Sequence, residues 1–471
     1  MLPIQKKPAI LLALLLIFFH TFSQPISRLQ KSGLPIAIFD SGTGGLTVLE
    51  AMLTMDQFNN ASGLPGPDGH PDFEGEKYQY LADQANMPYG NYAAENKTDL
   101  LKEHILKNMT FFLGPHYAEK KEGLWQQQTK PVVKMIVIAC NTATAYALPD
   151  IKGFVKVQLG NHFPVIGVIE AGSKAAVKYQ QKHKGTIGIF ATAGTVASGG
   201  YPTTLQAMAT QYGLNHLSVV SQGGVGLAES IDRDWSYFAD TASVTRADYK
   251  GPSIKNKALA IDTSLLKIYQ FNQKFNSLLC EYDSTGSCTD IQLNDPTNYV
   301  RFHLVTLLEK MRKEKVSLPL NTLILGCTHY PYMKDTIKKV LEELYNYHQG
   351  NYYRYRNYLA EKVALIDPAM ETAQEAYLAM RQQQLQVSAS EPSVIANQFF
   401  ISIPNTALDE VKLQPDGWFT YSYKYGRAAG GNKQYVSYVP FDKSNVPSAT
   451  YHRFQLALPN VYNQLSKAVG L

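Results

Sequence analysis

Two segments of the chain carry a cysteine in the same setting. MIVIACNTAT (135–144) and TLILGCTHYP (322–331) are each a short apolar run, one small residue, a cysteine and then polar residues. Such runs read as strands buried on both faces of a parallel sheet, which puts Cys140 and Cys327 at carboxyl strand ends. Open α/β sheets bind their ligands there. A thiolate can be generated near neutral pH, and helix N-termini or hydrogen-bond donors lower a thiol's pKa. Each cysteine precedes a polar residue and a predicted helix start, so each is expected to feel that effect. Two thiols presented alike from two halves of a chain can act on opposite sides of one small substrate, one as base and one as acid. The competing reading is two inert strand cysteines, because free cysteine is often core.

The elements that must position them alternate in type. A strand at Pro35–Phe39 leads into Asp40-Ser41-Gly42-Thr43-Gly44-Gly45 and a helix from Leu46. Residues 59–76, rich in Gly, Pro, Asn and Asp, read as a surface loop. A strand at 78–82, a helical stretch near 92–113 and the Cys140 strand follow, with a helix from Thr142. Next come a strand at Pro164–Ile169, a helix at 171–183 and a strand at Thr186–Phe190. The loop ATAGTVASGGYP then opens another helix, and a strand at 217–221 leads to Gly223-Gly224-Val225-Gly226. Residues 231–296 break the rhythm and read as an inserted lobe. A helix near 297–314, the Cys327 strand, a helix from 330, a strand at Val363–Ile366 and a helix opened by Pro368 resume it. Repeated strand-then-helix order means α/β with mostly parallel sheets. After residue 385 the pattern changes to short aromatic runs, read as added β structure or loops.

The 471 residues allow two or three domains. Of the formal charge of +5, Lys6 and Lys7 supply two, and the rest is too scattered to imply nucleic acid. Those lysines precede an apolar stretch, Ala9–Phe19, and then Thr21 and Ser23 at the −3 and −1 positions of a cleavage site. Residues 1–23 therefore read as a secretory signal peptide, giving export to the periplasm with no stable membrane anchor after cleavage. In an oxidising compartment the four cysteines raise the question of disulfides. Cys280 and Cys288, in CEYDSTGSC, are expected to form a local bridge, against the alternative of two unpaired loop thiols. No spacing of His and Asp suggests a metal site, and His70, His104, His116 and His162 read as surface residues. Ser198, Gly199 and Gly200 could cradle an anion at a helix N-terminus, but no Walker lysine or ribose-binding acid accompanies them.

Seven segments together resemble the glutamate racemases of the aspartate/glutamate racemase superfamily. They are IAIFDSGTGGLTVLEAM (36–52), MPYG (87–90), IACNTATA (138–145), PVIGVIEAG (164–172), IGIFATAGTVASGGY (187–201), LILGCTHYP (323–331) and LIDPA (365–369). The resemblance implies two similar doubly wound α/β domains facing each other across the active site. The first comprises 34–163 and 363–384, on the Cys140 side. The second is 164–362, on the Cys327 side, with the insertion 231–296. Residues 385–471 form an extension of unknown role. The resemblance also implies cofactor-independent interconversion of L- and D-glutamate, with Cys140 and Cys327 as the acid/base pair. Asp40 would tune the first thiol and His329 assist the second. Glu229 corresponds to a glutamate beside the second thiol, although Ser221-Gln222-Gly223-Gly224 departs from the family's Cys-Pro there. Ser41, Tyr89, Gly90, Asn141, Thr142 and Thr328, with Asp40 and His329, would cradle the amino-acid substrate. The competing readings are a helix N-cap for Asp40, a core histidine for His329 and a solvated helix residue for Glu229.

Family members are often dimers, so a homodimer is one expectation. Histidine at 329 favours glutamate over aspartate, whose racemases usually carry an acidic residue there. D-Glutamate for peptidoglycan precursors is made inside cells, so an exported copy would act on free or recycled amino acids. A non-catalytic amino-acid-binding protein on the same fold, a racemase for aspartate or another amino acid, and a one-cysteine lyase or decarboxylase are the alternatives. Asp40, both cysteines and His329 together favour the two-base racemase.

Overall fold

The central strands are apolar along their whole length, so both faces must be covered. A computed structural model describes residues 31–387, 393–431 and 433–470. The expected signal peptide lies outside the described residues. In chain order the strands that form the two main sheets are β1 (Ile36–Asp40), β2 (Tyr78–Ala82), β3 (Met135–Ile138), β4 (Val165–Gly167), β5 (Thr186–Ala191), β6 (Ser218–Gly223), β7 (Leu320–Gly326), β8 (Leu359–Ile366), β9 (Gln398–Pro404) and β10 (Val436–Pro440). The first sheet has the order β10-β9-β2-β1-β3-β4 and the second β8-β7-β5-β6. All neighbours are parallel except β9 and β10. This is an α/β fold with mostly parallel sheets.

Register decides which residues meet at the carboxyl edge. Phe39 pairs with Ile138, which puts Asp40 beside Ala139 and one residue short of Cys140. In the second sheet Gly326 pairs with Ala191 and Ala191 with Gly223, so Cys327 emerges next to Thr192 and Gly224.

The chain crosses between the sheets through helices rather than at the expected boundaries. The strand at 164–169, expected in the second domain, pairs with β3 in the first sheet. The crossing is made by the helix Val168–Gln180, whose Val168, Ile169, Ala176 and Val177 pack under the second sheet. The strand Val363–Ile366, expected in the first domain, instead covers the β7 edge of the second. Only the helix Pro368–Gln382 returns, burying Ala369, Ala373, Ala376, Tyr377 and Met380 in the first core. The apolar VALI run has an open parallel edge to fill, and an amphipathic helix can cover a core belonging to another sheet.

The described residues after 385 are no appendage. β9 pairs in parallel with β2 and carries β10 antiparallel at its outer side, extending the first sheet. Ser402 on β9 donates to Asp83 and accepts from the Ala85 amide. Lys424 donates to the Met87 carbonyl and Tyr425 to that of Pro88, clamping the MPYG loop. The helices Ser448–Ala457 and Pro459–Val469 bury Tyr451, Phe454, Leu458, Val461 and Leu465 in the first core. Glu50 accepts from the amides of Asn460 and Val461, satisfying donors at a helix start that has no internal partner for them.

The inserted lobe is likewise stitched in. Its hairpin, Leu278–Tyr282 with Cys288–Leu293, sends Ile291 and Leu293 into the second core, where Ile261, Ile268 and Tyr269 join them. Cys280 and Cys288 are bonded across this hairpin, with Cα atoms 5.8 Å apart. Among the described residues, no helix is long and apolar enough to cross a membrane.

Leu465 is fully buried in the core shared by the first sheet and its helices. Leu465→Ala is expected to lower stability by about 2–5 kcal/mol, as for large-to-small changes in well-packed cores. Urea denaturation measures it, and a loss within experimental error would mean that the C-terminal helix is not part of that core.

Candidate active site

The carboxyl ends of β1, β3, β5 and β7 open into one cavity of about 810 Å³. Asp40, Ser41, Tyr89, Gly90, Cys140, Asn141, Thr142, Glu229, Cys327, Thr328 and His329 all line it. The two free cysteines therefore come from different sheets to the same space, and both are buried.

The two thiols have different surroundings. Cys140 is the N-cap of the long helix Asn141–Leu159, and its Sγ accepts from the Ala143 amide at 3.4 Å. Its thiol donates to Ser41 Oγ at 3.5 Å. A helix N-terminus was expected to lower this pKa. Instead burial, followed by the negative charge of Asp40, pushes it up to about 12. The Ala143 and Ser41 hydrogen bonds act the other way and are outweighed, because a thiolate here would lose water and face a carboxylate. Cys140 therefore holds its proton at neutral pH.

Asp40 is fixed by the loop that follows it. Its Oδ2 accepts from the amides of Gly42 at 3.2 Å and Gly45 at 3.0 Å. A Cβ at Gly45 would stand 2.6 Å from Asp40 Cβ and 2.9 Å from that of Ala139, so only glycine fits there. Asp40 thus braces the loop ahead of the helix Leu46–Thr54 while facing the first thiol. Gly44 approaches Thr328 so closely that a Cβ would stand 2.6 Å from its Oγ1, and here the two halves touch.

Cys327 follows β7 without a helix start. A 3₁₀ turn, Tyr330–Met333, comes first, and the α-helix begins only at Lys334. In place of a helix N-terminus, Cys327 has His329, whose Nδ1 lies 3.8 Å from Sγ and 3.4 Å from Thr328 Oγ1. His329 Nε2 lies 3.1 Å from Asp232 Oδ2. Burial alone would lower the His329 pKa, but the Asp232 hydrogen bond, then the contact with Cys327, raise it to about 10. Burial likewise works to raise Asp232, and the hydrogen bond and charge of His329, with Arg453, reverse this and leave it below the usual Asp range.

The structure redistributes several expected contributions. Glu229 lies in the short helix Leu227–Ile231 and lines the cavity, its pKa raised by burial, but the carboxylate that bonds His329 is that of Asp232. Asp232 lies three residues after Glu229, a spacing that shares a helix face. That spacing was the available signal, obscured because Asp232 falls at the start of the irregular 231–296 stretch. Tyr89 lines the cavity, yet its hydroxyl donates to Asp83 and accepts from Asn108, so it offers a ligand its ring and backbone only. Asn141 Oδ1 accepts from the Tyr201 hydroxyl at 3.0 Å.

Thr192, Ala193, Gly194 and Thr195, at the end of β5, also line the cavity, as do Trp418, Phe441, Asn445, Thr450 and Arg453 from the C-terminal segment. Ser198, Gly199 and Gly200 lie outside its lining. Tyr330 donates to the Gly224 carbonyl at 3.0 Å, and His303 Nε2 contacts that of Val225 at 3.0 Å, supporting the altered glycine loop. His104, read as a surface residue, is buried edge-on against Tyr92. Among the described residues, no group of three or more His, Cys, Asp or Glu is arranged to hold a metal ion.

No protein-family model matches the chain. It is similar to curated glutamate racemases. That of Listeria monocytogenes serotype 4a (strain HCC23) is 28% identical over 393 residues, which is 80% of this chain and 98% of that one. That of Limosilactobacillus fermentum is 25% identical over 359 residues, 76% of this chain and 85% of the relative. Among solved structures, glutamate racemase isoform RacE1 from Bacillus anthracis is 23% identical, covering 78% of this chain and 88% of its own, with a TM-score of 0.44. The Francisella tularensis glutamate racemase solved in complex with D-glutamate is 17% identical, covering 84% and 95%, with a TM-score of 0.42.

The raised His329 pKa links stability to pH. Folding favours its protonated form, so the stabilisation is complete below the ordinary value of 6.5 and is lost as pH rises through about 10. The difference in urea midpoint between the wild type and His329→Gln is expected to be largest below about pH 6.5 and to shrink steadily above it. A difference that stays constant across this range would show that the imidazole is not held charged.

Proposed function

We propose that the protein is a cofactor-independent amino-acid racemase acting on glutamate, with Cys140 and Cys327 exchanging the α-proton on opposite faces of the substrate. The observation that carries this reading is the cavity itself. Two free thiols from two sheets line it, one kept protonated by burial and a neighbouring carboxylate, the other beside an imidazole held by a carboxylate. The similarity to curated glutamate racemases over most of the chain supports the same reaction class.

In one direction the Cys327 sulfur takes the α-proton while the Cys140 S–H delivers its own to the opposite face of the carbon. In the other direction the roles reverse. His329 stands where it can exchange a proton with Cys327, and burial together with Asp40 disfavours the thiolate of Cys140, which keeps a proton on that sulfur ready for the opposite face. Ser41, Asn141, Thr142, Thr328 and the backbone around Gly90 and Gly194 supply the hydroxyls, amide and N–H groups for the carboxylates and ammonium. Holding these groups around the reacting carbon is how an enzyme lacking an electron sink makes a poorly stabilised carbanion accessible.

We also propose export to the periplasm. The basic and apolar segment ahead of residue 24 supports it, and a bonded Cys280–Cys288 pair accords with an oxidising compartment. There the substrate pool would be free or wall-derived amino acids, and a homodimer is the expected assembly.

Incubating the reduced protein with L-glutamate in deuterium oxide is expected to give D-glutamate labelled at the α-carbon. No α-deuterium with glutamate or any other acidic amino acid would overturn the racemase reading. Cys140→Ala and Cys327→Ala are each expected to lose about 10²–10⁴-fold or more in kcat, the scale of a removed acid or base. Near-full turnover by either variant would exclude a two-base mechanism.

A further inference from the structure

One wall of the cavity comes from a part of the chain outside the strand-then-helix repeat. Trp418, Phe441, Asn445, Thr450 and Arg453 reach it from the C-terminal segment. Arg453 is the one lysine or arginine among the described residues that line the cavity. It lies in the helix Ser448–Ala457, which is anchored by Tyr451, Phe454 and Leu458 in the first core. Its backbone is therefore held by the first half of the molecule.

Its side chain meets the second half. Arg453 Nη1 lies 3.4 Å from Asp232 Oδ1, while the other oxygen of that carboxylate, Oδ2, lies 3.1 Å from His329 Nε2. His329 Nδ1 then faces Cys327 Sγ at 3.8 Å. The two oxygens of Asp232 are thus divided between a guanidinium and an imidazole, and four side chains form a line from the helix Ser448–Ala457 to the second thiol. The other charged groups around this line are Glu229 and Asp234 on the cavity wall, with Glu50 and Asp367 facing the neutral Tyr332 beyond. None of these supplies a second cation to Asp232.

A half-buried carboxylate just past the end of a short helix, as Asp232 is after Leu227–Ile231, can rotate unless both of its oxygens are engaged. When it rotates, the imidazole that depends on it loses its orientation, and the nitrogen presented to the thiol is no longer fixed. We propose that Arg453 is a positioning residue. It holds Asp232 in the orientation that bonds His329 Nε2, and so keeps His329 Nδ1 aimed at Cys327. This rests on the two-thiol reading and adds to it a component from the C-terminal segment.

The test is a double-mutant cycle with two readouts. The first, independent of turnover, is the rate at which iodoacetamide alkylates Cys327 in the full-length Cys140→Ala protein, where Cys280 and Cys288 are bonded. Arg453→Gln is expected to change that rate about fivefold, the size of a partly exposed ion pair, and Arg453→Lys to restore it. In an Asp232→Asn background, Arg453→Gln is expected to have no further effect, since its action passes through Asp232.

The second readout is steady-state racemisation with Cys140 intact. Arg453→Gln is expected to lower kcat about fivefold with KM changed less than about twofold. Thermal midpoints close to wild type are expected for each variant. Additive effects in the Asp232→Asn background, or an alkylation rate indifferent to residue 453, would overturn the proposal. A rise in KM at unchanged kcat would also overturn it and make Arg453 a substrate contact. If the alkylation cycle behaves as expected while the wild type racemises nothing, the positioning role stands and the proposed reaction fails.

Discussion

The carboxylate of Asp40 is the constraint around which the first half of the cavity is built. It accepts two backbone amides of its own loop, which fixes the turn from β1 into the next helix. It also stands beside a thiol that burial has already made reluctant to ionise. A negative charge in that place is tolerated because its hydrogen bonds are made by backbone groups that have no other partners. Gly45 follows from it, because a side chain there would collide with Asp40 and Ala139, whereas Gly44 is required by Thr328 of the facing half. Asp40 thus shapes the turn that faces the second half and, after burial, adds to the resting protonation of Cys140.

The second thiol is handled by a different device. Cys140 opens a helix directly, whereas Cys327 is separated from its helix by a 3₁₀ turn, and a histidine occupies that turn's approach. Helix donors act on Cys140 but lose to burial and charge. At Cys327 a bonded Asp232–His329 pair provides the proton partner. Two strand ends that are nearly superimposable as sequence are therefore chemically unequal. An exchange in which one group gives a proton while the other takes one needs such inequality in each half-reaction.

The C-terminal segment matters for the same cavity. Its first strand continues the first sheet beyond β2, its loops clamp the MPYG turn, and its helices complete the core below. The edge of an open parallel sheet exposes unpaired amides, so an added parallel strand with an antiparallel one outside it covers β2 that would otherwise form the rim. The segment that closes the sheet also contributes a wall of the cavity.

What could be read from the residue order was whatever depends on short range. Uninterrupted apolar runs gave parallel strands, and their endings put Asp40, Cys140 and Cys327 at carboxyl edges. The spacing of Thr328 and His329 behind Cys327 fixed which thiol they would attend. Other matters depend on contacts between residues far apart in the chain. These include the membership of β4 and β8 in their sheets, the turning of the Tyr89 hydroxyl to Asp83, and the meeting of Arg453 with Asp232 across more than two hundred positions. The pKa of Cys140 belongs with them. The sequence supplies the helix start that would lower it, but desolvation is a property of everything packed around the sulfur, and that exists only once the two halves have closed.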